Sequence, residues 1–297
     1  MTHDHDHRGH DHGDTGHIGV AFLLNFSFAL IEVAGGLLTN SIAILSDALH
    51  DLGDSLALAL AWYLQKVSDR GRDRRYTYGY KRFSLLGALA GSGILIVGSV
   101  VIVFAAIPRL IEPQPTVTWG MLLLAVLGIV VNGAAVLRLK KGTSQNAKVV
   151  ALHLLEDVLG WGAVLVGAVV IHFTGWYWID PLLSLGIAAF ILITALGALR
   201  SSAKILLQGI PEEVDLAAIE ARLTAVAGVA SSHDLHLWSL DGERTILTVH
   251  LVLDAPVTPE TACRVKRETA VAMEELGVGH CTIELEGPDE PCARCCS

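Results

Sequence analysis

From residue 18 to about residue 207 the chain alternates long apolar runs with short polar connectors, and beyond residue 212 charged positions become frequent. A bilayer core of roughly 30 Å is crossed by about 20 apolar residues in a helix, because hydrocarbon offers the backbone no outside hydrogen-bond partner. Six runs meet that length: 18–38, 42–65, 83–107, 117–139, 149–173 and 182–199. Turn chemistry separates them, with Glu112-Pro113-Gln114-Pro115 after the third, Lys141-Gly142-Thr143-Ser144 after the fourth and Asp180-Pro181 opening the sixth. Past Gln208-Gly209-Ile210-Pro211 the period changes. Leu216, Ile219, Leu223 and Val226 share one face of a helix over 212–226, and 231–240 and 245–254 alternate with period two around Asp241-Gly242. A second helix over 258–276 opens at Thr258-Pro259-Glu260, and a third strand covers 281–285. The expected fold is an all-α six-helix transmembrane domain (17–207) followed by a small α+β domain of order αββαβ (208–288). A histidine-rich tail (1–16) and a cysteine-containing tail (289–297) flank them.

The connectors orient the spans. Lys66, Arg70, Arg72, Arg74, Arg75, Lys81 and Arg82 follow the second run, and Arg138, Lys140, Lys141 and Lys148 follow the fourth, whereas the opposite connectors are nearly free of basic residues. Basic loops stay in the cytoplasm, so both termini are expected there, in a multi-pass protein of the inner (plasma) membrane. The start of the chain, alternating His with Asp, has no signal-peptide pattern.

Within the apolar runs a few polar residues stand out, since an ionised Asp at mid-membrane costs on the order of 3 kcal/mol. His50 and Asp54 in the second run, and His153 and Asp157 in the fifth, are each four apart, so each pair shares a helix face. Two packed helices would then offer two imidazole nitrogens and two carboxylate oxygens, a tetrahedral shell suited to zinc, with cadmium, cobalt, nickel and iron also compatible. The two carboxylates neutralise a dication, and an empty site should take up protons. Asp47 and Asp51, four apart, share a face roughly 100° away from the His50 face and are set outside the shell, either lining a vestibule or pairing with neighbouring helices.

Composition narrows the function classes. The chain is 52% hydrophobic and 17% charged; its net charge of −9 says little about nucleic acid, but no basic, aromatic-interleaved stretch is visible to bind one, so none is expected as a partner. All five cysteines fall in the polar C-terminal part and are expected as thiols or metal ligands, not disulfides. Cys292-x-x-Cys295 has zinc-like spacing but no second ligand pair nearby in sequence. His3, His5, His7, His10, His12 and His17, set among Asp and Gly, form no core and suit either weak multivalent capture of a cation or plain solubilisation.

At this point the chain resembles the cation diffusion facilitator family. The likeness rests on SIAILSDALHDLGD at 41–54, YTYGYKR at 76–82, HLLEDVLG at 153–160, DPLLS at 180–184 and GVASSHDLHLWSL at 228–240. The resemblance implies a proton-coupled antiporter, a homodimer in a lipid bilayer, exporting divalent cations by alternating access through His50, Asp54, His153 and Asp157. It also implies a metallochaperone-like cytoplasmic domain in which His233 and His250, with Glu284 or Glu286 and with Cys292 and Cys295, hold metal at the dimer interface. Zinc is thus the expected substrate and regulatory ligand, with no cofactor besides. Histidine at positions 50 and 153 argues against manganese. Residues 72–80 carry no histidine, so a further loop site found in some members is expected to be absent, and Arg82 and Gln208 replace the basic-acidic interlock of others. Two other classes stay open: an intramembrane zinc metalloenzyme, disfavoured because no HExxH occurs and four protein ligands leave no place for water, and a membrane metal sensor without transport.

Overall fold

Helices form where the apolar runs lie. The computed structural model describes residues 14–139 and 145–290, with side-chain surroundings given for all of these except 14–21, 24, 139, 145–151 and 153. In order they form α1 (Asp14–Thr39), α2 (Ile42–Ser68), α3 (Phe83–Ile111), α4 (Thr118–Leu139), α5 (Gln145–Thr174), α6 (Ile179–Leu206), α7 (Leu216–Thr224), β1 (Val229–Ser239), β2 (Thr245–Leu253), α8 (Pro259–Glu275) and β3 (Val278–Glu286). Contacts divide the chain into two units, one built from residues up to 63 with 90–199, the other from 64–89 with those from 200 onward.

In the first unit the helices meet through small residues, as expected where lipid supplies no hydrophobic drive and close approach must hold helices together. Gly128 of α4 lies flat against Trp161 of α5, where a Cβ would fall 2.4 Å from the indole. Gly35 of α1 gives the same room to Leu124 of α4. Phe28, Ile44, Met121, Trp161, Val164 and Ile171 fill the interior between α1, α2, α4 and α5, while Ile42, Ile102, Ala106 and Ala188 join α2, α3 and α6. Leu38, Phe104, Leu123, Phe173 and Ile193 point outward and are largely exposed, a surface that only lipid or protein would cover.

Among the described residues four helices are long and apolar enough to cross a membrane: Phe83–Ile111, Thr118–Arg138, Leu154–Thr174 and Ile179–Leu206. The sequence led us to expect six. α1 supplies a shorter apolar stretch, Asn25–Thr39, and α2, although 27 residues long, is diluted by Asp47, His50, Asp51 and Asp54. The shortfall at α2 has a physical cause, since the helix that carries the ionisable groups gives up apolarity to do so.

The turn from α1 to α2 is closed by polar contacts rather than by length. Asn40 adopts a positive φ of 54°, its side chain donates to the Pro115 carbonyl at 3.0 Å, and Arg109 Nη1 donates to its carbonyl at 2.7 Å. Ser41 then caps α2, its Oγ accepting from Ile44 N–H at 3.2 Å. Asp180, at the start of α6, adds a second cap from across the unit: its carboxylate accepts from Ile42 N–H at 2.8 Å, from Ala43 N–H at 3.3 Å and from the Ser41 hydroxyl.

The second unit has the expected element order. Asp215, accepting from Ala217 N–H at 2.9 Å, opens α7, so that helix begins later than the proline at 211 suggested. Thr258 caps α8 with Pro259 in its first turn. β1 pairs antiparallel with β2, and α8 carries the chain across so that β3 joins β2 in parallel. Leu247, Val249, Leu251 and Leu253 bury one face of β2 against α7 and α8 through Ile219, Leu223, Val265 and Met273. The connector between α2 and α3 belongs to this unit and is ordered by Asp73, which accepts from the Arg75 and Tyr76 N–H groups at 2.7 Å and from Tyr80 Oη at 2.9 Å. The Tyr76 N–H bond, followed by those from Tyr80 and Arg75, holds the Asp73 carboxyl below the usual carboxylate range.

Candidate metal centres

Among the described residues each unit brings together one group of three ligand-type side chains. In the first, α2 and α5 bring together one ligand atom each from His50, Asp51 and Asp157, all within 4.8 Å of one another. Asp54, one turn along α2, lies with Oδ2 3.5 Å from His50 Nε2. Asp157 and Asp51 are buried and His50 is half-buried, so the group sits inside the helix packing rather than on its surface. Of the four residues singled out by their spacing, His50 and Asp157 meet in this group and Asp54 lies beside His50; the His153 side chain lies outside the described residues. Asp51, which helical spacing had set aside, falls inside the group. Glu32 of α1 is a residue the sequence reading passed over: it is fully buried and faces Asp51, Asp47 and Asp157. A lone acid within the apolar stretch Asn25–Thr39 was the signal that would have found it.

In the second unit the sheet assembles the cluster. His233 of β1 stands opposite His250 of β2, which stands opposite Glu284 of β3, so three strands place these residues on the face that the core does not use. His250 Nδ1 lies 2.7 Å from Glu286 Oε1, and its Nε2 lies 3.4 Å from Glu284 Oε2 and 3.5 Å from Asp234 Oδ2. His233 Nε2 is 3.3 Å from Glu286 Oε2. His233, His250 and Glu286 each present one ligand atom within 4.8 Å of the others, and Glu284, more exposed, stands at the rim. Asp234 was not anticipated. A bulge between His233 and His236, with Asp234 at φ 48°, turns its side chain toward His250, and period-two alternation gives no hint of such a break. Two imidazoles and up to three carboxylates are a donor set for zinc or a similar borderline cation.

The remaining candidates divide plainly. Cys292 and Cys295 lie outside the described residues, as do His3, His5, His7, His10 and His12 of the first tail. Cys263 and Cys281 are free thiols. Burial among the core side chains pushes the Cys281 thiol up to about 11, so it remains protonated at neutral pH and is a poor metal ligand. His280, next to it, packs edge-on against Tyr78 at 6.0 Å between ring centres.

A helical unit with lipid-compatible surfaces and an internal His-carboxylate cluster, joined to a small mixed α/β unit with a second cluster, defines a multi-pass membrane protein that handles metal cations. Comparison with known proteins agrees with this class. Residues 18–207 match the cation efflux transmembrane domain and residues 211–288 the cation efflux protein cytoplasmic domain, so the chain belongs to the cation efflux family of metal transporters. It is 37% identical over 286 residues to the metal cation efflux system protein CzcD of Cupriavidus metallidurans, covering 96% of this chain and 89% of that protein. It is 33% identical over 285 residues to the cadmium, cobalt and zinc/H(+)-K(+) antiporter of Bacillus subtilis, covering 94% and 92%. A solved structure, the metal-bound C-terminal domain of the CzcD transporter from Cupriavidus metallidurans, matches 25% of this chain and 99% of its own at 40% identity and a TM-score of 0.22. These are names of transporters, not of enzymes.

Proposed function

We propose that this protein exports zinc, and related ions such as cadmium and cobalt, from the cytoplasm in exchange for protons. It would work as a six-span homodimer of the inner membrane with both termini inside, α1 and α2 crossing together with the four clearly apolar helices. The observation that carries this reading is the meeting of His50 and Asp51 of α2 with Asp157 of α5 inside the helical unit. His50, Asp54, His153 and Asp157 form the transport site, with Asp51 adding an oxygen. Support for the ion class comes from the donor set, nitrogen plus carboxylate oxygen, and from relatives named for cadmium, cobalt and zinc.

The coupling follows from the ligands themselves. Imidazole binds metal only when neutral and carboxylate only when ionised, so loading from the cytoplasm releases protons and protonation from the outer side expels the ion. Alternating exposure of one site then makes metal and proton travel in opposite directions. Purified full-length protein in liposomes tests this: an imposed proton gradient should drive zinc uptake into vesicles of inside-out orientation, with cadmium and cobalt competing. A flux indifferent to the gradient would sink the proton coupling, and no cation movement at all would favour a sensor. Removal of residues 2–16 should shift only the zinc concentration needed for half-maximal flux, as expected of a capture segment outside the site.

The cluster of His233, His250 and Glu286, with Asp234 and Glu284 beside it, serves as a regulatory zinc site in the dimerising domain. Its ligands become useful only when folding and pairing hold them together, so zinc bound there stabilises the folded dimer. His250→Ala is expected to abolish that site, lowering zinc-dependent thermal stabilisation of the full chain by several degrees while transport at saturating zinc persists. An unchanged zinc-induced shift would rule the cluster out.

A further inference from the structure

Between Lys66 and Arg82 the chain carries seven basic and two acidic residues, a net charge of +5 in a protein whose total is −9. This stretch closes α2, forms the connector and ends at Arg82, immediately before Phe83, where a helix long and apolar enough to cross a membrane begins. A connector in that place lies at the level of lipid headgroups. It is folded rather than merely spanning the gap. Asp73 gathers the backbone of Arg75 and Tyr76 and the hydroxyl of Tyr80, and its own N–H donates to the Tyr76 carbonyl at 3.1 Å. Gly79, at φ 80°, brings the returning limb against Arg70 and Arg72, where a Cβ would lie 3.4 Å from the Arg70 carbonyl oxygen. The rings of Tyr76 and Tyr80 are 4.5 Å apart, and both touch Phe83, at 5.8 and 5.4 Å, which ties the connector to the first residue of α3.

This fold turns its positive charge outward. Arg70, Arg72, Arg74 and Arg75 are all exposed, and among the described residues none of them makes a salt bridge, whereas Lys81 is engaged by Asp69 at 3.6 Å. Elsewhere in the same unit Arg222 is paired with Glu275 at 2.8 Å and Arg264 with Glu268 at 3.4 Å. Half-buried Arg82 adds an enclosed Nε that has no hydrogen-bond partner among the described residues. A guanidinium fork matches phosphate oxygens two at a time and stays charged throughout the physiological pH range. Tyr76 and Tyr78, 40% and 51% exposed, interleave the arginines with amphipathic rings of the kind that settle at membrane interfaces.

We infer that the 70–82 connector is a preformed docking surface for the phosphate headgroups of anionic bilayer lipids. Charge complementarity fixes the sign of the partner, and the membrane-crossing helix that starts at Phe83 fixes its source. The turn around Asp73 fixes the spacing of the arginines, which separates this surface from a basic segment held near the membrane by net charge alone. Only the crossing of the bilayer by α3 is required, so the surface stands or falls apart from the transport reading.

Full-length protein in a neutral detergent, titrated with phosphatidylglycerol or phosphatidylcholine and followed by thermal stability and by native mass spectrometry, tests the surface. Phosphatidylglycerol should stabilise the protein at a concentration about tenfold or more below that of phosphatidylcholine. Replacing Arg72, Arg74 and Arg75 by Gln together should reduce that preference to about twofold or less, and Arg70→Gln with Arg72→Gln should lower it in the same direction. Arg222→Gln and Arg264→Gln should leave it unchanged. Asp73→Ala is the deciding variant, because it makes the connector more positive while removing the three contacts that shape it. A preformed surface then binds phosphatidylglycerol more weakly; tighter binding would show attraction by net charge alone and overturn the proposal. Equal response to the two lipids, or an unchanged preference in the arginine variants, would overturn it as well. Glycerol phosphate, the headgroup chemistry without acyl chains, should give no stabilisation at the same concentrations, and a response equal to that of the lipid would make a free anion the ligand instead. Stabilisation by phosphatidylglycerol that emerges only after removal of residues 2–13 would assign the surface to the chain's own aspartate-containing tail.

Discussion

Asp157→Asn should reduce maximal zinc flux by on the order of 100-fold, equivalent to about 2.7 kcal/mol, while the folded protein and its second cluster remain intact. The substitution keeps the size and one acceptor oxygen of the side chain, so packing against α1 and α2 is preserved. What it removes is the acidic ligand that α5 brings within 4.8 Å of His50 and Asp51. With only α2 carboxylates left in that group, His153 is the one ligand of the proposed site that still ties the dication to α5, and binding there favours one arrangement of α2 and α5 over another far less. Flux by zinc-loaded liposomes, read beside zinc binding by the detergent-solubilised protein, checks the point; wild-type flux from Asp157→Asn would remove α5 from the site. Parallel measurements on Asp51→Asn and Asp54→Asn separate the two α2 acids. Asp54 follows from the four-residue spacing and lies 3.5 Å from His50, while Asp51 is the acid that shares the group with Asp157.

The contrast between those two acids shows where the sequence was informative. Spacing identifies which residues share a face of one helix, and it correctly joined His50 to Asp54. It says nothing about where a neighbouring helix crosses. α5 meets α2 so that Asp157 reaches both His50 and Asp51, adjacent positions about 100° apart around the axis, and the flexible carboxylate arms close the gap. Glu32 has no partner ligand at helical spacing, and its signal is isolation in an apolar run. In the second unit the helices, strands and buried faces were legible, as Leu247, Val249, Leu251 and Leu253 lie on one face just as their alternation indicated. The bulge at Asp234 was not, because an inserted residue changes the direction of a side chain without changing composition or period. Boundaries moved for local reasons of the same kind: α7 starts where Asp215 can cap it, not at the preceding proline.

Asp180→Ala is expected to cost about 3 kcal/mol of stability in the first unit and with it most of the transport, although Asp180 is not among the clustered ligands. Its carboxylate, almost wholly buried, accepts from the N–H groups of Ile42 and Ala43 and from the Ser41 hydroxyl. The first turn of a helix has N–H groups with no partner inside the helix, and in an apolar surrounding each one left unsatisfied costs about 1–3 kcal/mol. Asp180 satisfies two of them at the start of α2 while itself belonging to the start of α6, so it fixes one helix end against the other by hydrogen bonds with defined directions. α2 carries His50, Asp51 and Asp54, and any slip of its first turn displaces all three together. Asp180→Asn should recover much of the loss, since its remaining oxygen can still accept from Ile42 N–H, and Asp180→Glu should recover less because the longer arm misplaces the oxygens. The order Asp, Asn, Glu, Ala in thermal stability and in flux is the signature of a directional cap; a purely electrostatic role would rank Glu above Asn, and equal stability across the series would show that the α2 and α6 ends are held by packing alone.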